Sequence, residues 1–311
     1  MPRIILDTDP GIDDALAFCL AFASPEVQME AITTVNGNVG VGLTTDNALA
    51  LVNLLGHPDV PIAKGCDRPL LSQIVEATIV HGENGLGGAI LPKGDNQPVE
   101  QHAVDLIIER ILKNPGEITL VAIGPLTNLA LAVRREPRIA QLVREVVIMG
   151  GALFVPGNVT PTAEFNIYAD PHAAQIVLHA GWPIRLVSLD VTTRTTLQQV
   201  EIETLRREGS PVHTFIEQAL QGYFTRFAQH GQPRFQMHDP LCLAAAFLPD
   251  LITWKEAYVG VELTGSATLG KTVAYLPPHQ LPGAPNVLAS VDVDATSFCA
   301  LFVERINQTY K

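Results

Sequence analysis

The stretch Ile4-Ile5-Leu6-Asp7-Thr8-Asp9-Pro10-Gly11-Ile12-Asp13-Asp14-Ala15-Leu16 constrains this chain more than any other. A β-branched apolar run that ends in Asp reads as a buried strand, and Pro10-Gly11 is a turn that cannot extend it. Residues 12–23 are almost all apolar or small and include no Pro or Gly, so they predict a buried helix of about three turns. Asp7, Asp9, Asp13 and Asp14 therefore fall in one strand-to-helix turn. Carboxylates crowded in this way cannot all ionise unless a cation offsets them. The helix dipole accounts for Asp13 and Asp14 in a first turn, and Asp7 can close the strand, but Asp9 is left over. A hard divalent cation, which draws several oxygens to one point, explains it.

The same unit recurs along the chain. Strands are predicted over 29–35, 60–64, 118–123, 146–149 and 184–189, alternating with helical patterns over 43–56 and 99–113 and from 129 and 171 onward. Asn36-Gly37-Asn38 stops the second strand and Gly124-Pro125 bounds the fourth. Strand, glycine-containing turn and helix in succession predict an α/β fold. Its central sheet is mostly parallel, with helices on both faces as in Rossmann-like open sheets, and its site lies at the carboxyl ends of the strands. Later strands over 255–263, 271–276 and 287–292 and a helix over 295–310 carry no obvious chemistry. The 311 residues, 47% of them hydrophobic, suffice for a large core, and no linker divides them, so residues 1–311 are expected to form one domain.

Composition excludes several partners. A net charge of −12 leaves no electrostatic footprint for nucleic acid or an anionic membrane. The longest apolar run, 15–23, is too short to cross a bilayer. Cys19, Cys66, Cys242 and Cys299 form no CxxC pair and fit reduced, buried thiols. With no basic or cleavable leader ahead of the first strand, the expected location is the cytoplasm.

Further residues suited to chemistry lie past strand ends or at helix starts. Asn38 follows the second strand. The Gly- and Pro-rich segment 67–98 reads as a functional loop, and His81 is the residue in it suited to acid–base work near neutral pH. Asn158, Glu164 and Asn166 can converge in one loop, where amides and a carboxylate suit neutral hydroxyls better than phosphates. They can equally tie down their own loop. His238-Asp239-Pro240 opens an apolar helix, with Asp239 placed to point a carboxylate into a cleft. Phe215, Tyr223, Phe227 and His230 form a stripe at helical spacing that fits a core more readily than a base-stacking platform.

Taken together, Asp-Thr-Asp-Pro-Gly-Ile-Asp-Asp, the Asn38 strand end, Ile123-Gly-Pro-Leu-Thr-Asn, Asn158 with Glu164-Phe-Asn166, and His238-Asp239 resemble the nucleoside hydrolase family over essentially the whole chain. The resemblance implies hydrolysis of the N-glycosidic bond of ribonucleosides. It implies a Ca²⁺ site of Asp9, Asp14, Asp239 and the backbone carbonyl of Ile123. It also implies a ribose site of Asp13, Asn158, Glu164 and Asn166 with Asn38 nearby. Asp9 would be the base for a calcium-bound water, and His238 the acid for the leaving group, assisted by His81. The implied partners are a small ribonucleoside and further copies of the chain, as a dimer or tetramer. His238 places the chain with the less base-selective or pyrimidine-preferring members. Arg226 and His230, base-pocket candidates with Phe227, stand where a polar amide and Tyr are common, which leaves the nucleobase open.

Two alternatives use the same residues. A haloacid dehalogenase-type phosphohydrolase also has Asp-x-Asp after its first strand, but it wants Thr or Val where Gly11 stands and a later Lys motif. A nucleoside- or ribose-binding protein could keep the pocket without turnover.

Overall fold

The computed structural model describes residues 1–206, 209–227 and 234–311. Its frame is a nine-stranded sheet of β1 (Arg3–Thr8), β2 (Gln28–Thr34), β3 (Ile62–Lys64), β4 (Ile118–Ala122), β5 (Glu145–Met149), β6 (Ile184–Val187), β9 (Ile252–Val261), β10 (Thr272–Tyr275) and β11 (Val287–Val293). β7 (Thr196–Leu197) and β8 (Phe235–Gln236) form a separate antiparallel pair. The spatial order is β10-β9-β11-β6-β5-β4-β1-β2-β3. Every pairing from β11 to β3 is parallel, and only β9 and β10 run against their neighbours. The expected mostly parallel α/β sheet is therefore present. β9 and β10 make its antiparallel edge.

Alternation along the central strands explains why both faces are covered. Ile4 and Leu6 of β1, Val121 of β4 and Val147 of β5 enter one core, with the helices Ile12–Phe22, Val41–Leu54, Pro211–Phe227, His238–Ala245 and Ala295–Thr309. Ile5, Leu120, Val146 and Ile148 face the other core, covered by helices Ala103–Lys113, Thr127–Arg135 and Pro171–Leu178. Strands buried on both faces are continuous apolar runs, which is why they read so clearly. All four cysteines are buried and unpaired.

Strand order also fixes where a ligand can enter. From β1 the chain steps outward to β2 and β3, then returns to place β4 on the opposite side of β1 and continues through β5 and β6. The connections beyond β1 and β4 diverge, opening a crevice at their carboxyl ends. Residues 9–14 and 123–125 lie at that point.

Some boundaries differ from those expected. β6 stops at Val187 and Leu189–Thr192 turns into a short helix, because Ser188 leaves the strand to bond Asp190 and Ser290 with its side chain. β9 begins at Ile252, earlier than the polar residue Lys255 suggested, because Ile252 is buried against the sheet edge. Among the described residues no helix is long and apolar enough to cross a membrane.

Candidate active site

The β1 turn builds the centre of the site. Gly11 caps the helix Ile12–Phe22, and Asp14 in its first turn reaches back to accept from the Gly11 N–H at 2.9 Å. The other oxygen of Asp14 accepts from Thr8 Oγ1 at 2.5 Å. Asn38, carried past β2, donates its N–H to Asp9 Oδ2 at 2.7 Å and its Nδ2 to Asp14 Oδ2 at 3.0 Å. Asp13, Asp14 and Asp239 bring carboxylate oxygens within 4.8 Å of one another, all buried. Burial raises all three above the usual carboxylate range.

Of the four acids in the opening turn, Asp7 does not join the group. Like Ile5 it points to the opposite face of β1, where its Oδ1 accepts from Thr33 Oγ1 at 2.5 Å and Asn128 Nδ2 at 2.8 Å. Alternation along β1 puts Asp7 on the face of Ile5, and Asp9 escapes that face because the strand ends at Thr8 and the chain has already turned. Asp9 stands beside the trio of acids. Its Oδ2 is held by Asn38, while its Oδ1 is buried and has no hydrogen-bond partner among the described residues.

Electrostatics match this geometry. Burial, then the charge on Asp14, pushes Asp9 well above the usual carboxylate range. Asp239 rises likewise through burial and its acidic neighbours, and Asp13 reaches about 7. A buried anionic oxygen with no partner is costly, and a cation is the remedy that fits an all-oxygen donor set. The residues therefore fit a hard divalent ion.

Glycine makes the crowding possible. A Cβ on Gly11 would lie 2.6 Å from both Asn38 Nδ2 and His81 Nδ1. Gly11→Ala is expected to cost about 1–3 kcal/mol and to lower turnover, as read by thermal denaturation and kcat, because both polar neighbours must retreat.

A cavity of about 370 Å³ opens above the carboxylates, a size that holds a small organic ligand. Asp13, Asn38, His81, Asn158, Glu164, Asn166, His238 and Asp239 all line it, with the Ile123 strand end at its floor. Several of them are also committed to their own backbone. Glu164 caps the short helix Phe165–Ala169, accepting from Asn166 N and Ile167 N, and it also takes the Gly151 N–H. Asn158 Oδ1 accepts from Phe165 N at 2.9 Å. Asn166 Nδ2 donates to the Ile123 carbonyl at 2.9 Å, so that carbonyl already has one partner. These bonds tie the loop down, and the same three residues line the cavity.

The two histidines come from distant segments. His81 ends the short helix Thr78–His81, and its Nδ1 accepts from the Ile12 N–H at 3.0 Å, so its Nε2 carries the proton. Burial, then the charges on Arg226 and His238, lowers His81 to about 3. His238 opens the helix His238–Ala245, with Nδ1 2.7 Å from Thr192 Oγ1 and Nε2 3.0 Å from Gln236 Oε1. Burial lowers it to about 4, so both rings are neutral at pH 7.

Of the base-pocket candidates, Phe227 lines the cavity with Tyr223 and Phe235, the Tyr223 ring lying 4.7 Å from that of Phe227 and 5.0 Å from that of Phe235. Arg226 does not line it. Arg226 Nε instead donates to the Val80 carbonyl at 3.1 Å, which ties the helix Pro211–Phe227 to the segment that carries His81. His230 lies outside the described residues. Sequence reasoning missed Thr192, Gln236 and Phe235. Thr192 follows the end of β6, a position that could have marked it, whereas the two-residue strand β8 carries no periodicity to find.

The family model described as inosine-uridine preferring nucleoside hydrolase matches residues 4–300. A pyrimidine-specific ribonucleoside hydrolase RihA from Enterobacter sp. is 40% identical over 311 residues, covering 98% of this chain and 97% of the relative. A plant nucleoside hydrolase superposes with a TM-score of 0.92 at 36% identity, covering 98% of this chain and 99% of the other. A purine-preferring ribonucleoside hydrolase from Gardnerella vaginalis does so with a TM-score of 0.93 at 33% identity, covering 99% and 98%. These matches, over nearly the whole chain, make the α/β sheet with its acid-lined cleft that of an N-ribosyl hydrolase. The chain belongs to the inosine-uridine preferring nucleoside hydrolase family and acts on ribonucleosides.

Proposed function

We propose that the chain cleaves ribonucleosides to free base and ribose with Asp9 as the base for the attacking water. The buried Asp9 Oδ1, without a partner beside three further carboxylates, is the observation that carries this reading. The residues that would hold a divalent ion, for which Ca²⁺ has the right donor preference, are Asp9, Asp14 and Asp239 with the Ile123 carbonyl. When bound, the ion supplies positive charge that keeps these acids ionised and polarises oxygen ligands brought to it.

The remaining chemistry belongs to the chain. Asp13 is 8% exposed and lines the cavity, whereas Asp9 and Asp14 are fully buried, which supports Asp13 as the acid for a sugar hydroxyl. Asn38, Asn158, Glu164 and Asn166 complete the ribose end. As the C1′–N bond breaks, the electron pair stays on the base nitrogen and the ring carbon gains cationic character. The surrounding acids stabilise that cation. Water then adds at C1′ and loses its proton to Asp9. His238 and His81, neutral at pH 7, offer N–H groups toward the departing base, and Tyr223, Phe227 and Phe235 give it an aromatic wall. The net negative site disfavours phosphate, which argues for nucleosides over nucleotides and against the phosphohydrolase alternative.

Release of reducing sugar from a nucleoside panel, with and without a chelator, tests the reading; binding without release would leave only the ligand-binding alternative. A sugar lacking its 2′-hydroxyl leaves polar groups of the site unpaired. The expected kcat/KM for 2′-deoxyuridine is at least about 10²-fold below that for uridine, and similar values would remove the diol from the argument. Cytoplasmic location, which four unpaired thiols fit, and a homo-oligomer belong to the same proposal, and light scattering on the purified protein reads the second.

A further inference from the structure

Thr192 stands apart from the threonines around it. Thr193 Oγ1 donates to the Leu189 carbonyl at 2.6 Å and Thr195 Oγ1 to the Val191 carbonyl at 3.0 Å, each satisfied within its own turn. Thr192 is fully buried, and its hydroxyl has a single partner among the described residues, His238 Nδ1 at 2.7 Å. A buried hydroxyl needs an acceptor for its hydrogen, and among the described residues His238 Nδ1 is the one within reach. With the hydroxyl as donor, Nδ1 is the acceptor. That fixes the proton of the ring on Nε2, which agrees with the Gln236 Oε1 acceptor 3.0 Å away. Gln236 sits on β8 at the cavity wall, half-buried.

We infer that Thr192 is a positioning residue that sets the tautomer of His238, so that Nε2–H is the group presented to the cavity, and that Gln236 accepts this N–H until a departing base replaces it. The inference rests on the proposed role of His238 toward the base. In this arrangement the imidazole keeps its proton, so His238 acts as a hydrogen-bond donor to the leaving group rather than as the acid that the family resemblance implies. The C1′–N bond breaks, its electron pair collects on the base, and the Nε2–H hydrogen bond stabilises that pair until solvent protonates the base. Without the Thr192 hydroxyl the ring is free to carry its proton on Nδ1 and to present a lone pair, which repels an electron-rich base.

Thr192→Val, Thr192→Ser and His238→Ala separate the possibilities when assayed on uridine, inosine and p-nitrophenyl riboside, whose leaving group needs no assistance. Thr192→Val is expected to lower kcat on the nucleosides by about 10²-fold with KM nearly unchanged, and to leave p-nitrophenyl riboside within about threefold. Thr192→Ser restores the hydroxyl and should recover most of the loss. The double variant Thr192→Val/His238→Ala should be no slower than His238→Ala, because both act along one path. Independently of activity, ¹⁵N NMR of the histidine-labelled wild-type protein, with the signal assigned by its loss in His238→Ala, should show Nε2 protonated and Nδ1 bare. An Nδ1-protonated ring overturns the inference, as does a Thr192→Val variant that is equally slow, or equally active, on both substrate classes. If His238→Ala itself slows both classes equally, the role of His238 falls, and that result is distinguishable from a failure of Thr192 alone.

Discussion

Asp9→Asn is expected to lower kcat on nucleosides by about 10⁴-fold, the upper end of what a general base contributes, because it takes the proton acceptor from the attacking water and a charged oxygen from the cluster. The variant keeps the volume of the side chain and an oxygen to receive the Asn38 N–H, so the fold should survive. The same change should raise stability in a chelator at pH 8. A fully buried carboxylate beside Asp14 and Asp13 is a source of repulsion in the ion-free protein, and an amide removes it. A melting temperature at or above that of the wild type, combined with near-complete loss of turnover, would mark Asp9 as a residue kept for chemistry against stability. Loss of both properties together would make Asp9 a structural residue and end its assignment as the base.

Chelation is the second large effect. Removing divalent ions is expected to abolish nucleoside cleavage, by more than about 10³-fold, and Ca²⁺ should restore it. Its influence on stability has a definite sign with pH. The buried acids hold their protons more tightly in the folded chain than in the unfolded one, with Asp13 at about 7 and Asp9 and Asp239 higher than usual. For carboxyls raised in this way, folding stability is greatest at low pH and falls as pH climbs from the ordinary carboxylate range through about 7. An ion that replaces those protons restores what is lost. The difference in melting temperature with and without Ca²⁺ should thus widen from pH 5 to pH 8, reaching roughly 5 °C when the ion is present at 100 times its dissociation constant. A difference that is constant with pH would place ion binding away from these carboxylates.

The parts of this molecule that were legible in the sequence are those where a local rule and the global fold agree. β1, β4 and β5 are short apolar runs bounded by glycine or proline, and they are buried on both faces. The β1 turn was readable because four acids in eight residues need an explanation. Side-chain direction was less legible. Asp7 is two residues from Asp9, and nothing in composition says that one faces Asn128 and the other Asn38. The pairing of Asp13 and Asp14 with Asp239 depends on how the helix Ile12–Phe22 packs on the helix His238–Ala245, a contact between residues more than two hundred positions apart. Arg226 lies near the right place in the chain but turns its guanidinium toward Val80, a choice made by the neighbouring loop. Gln236 was invisible for the opposite reason: β8 has two residues, too few for any pattern.

The distance in sequence between Asp14 and Asp239 has a consequence for biosynthesis. A ribosome-bound chain that has emerged only through β6 already contains the opening turn and all six strands β1 to β6, yet it lacks one wall of the acidic nest. In such a fragment the proposed cation site is incomplete, and it closes only when the final third of the polypeptide docks, late in synthesis.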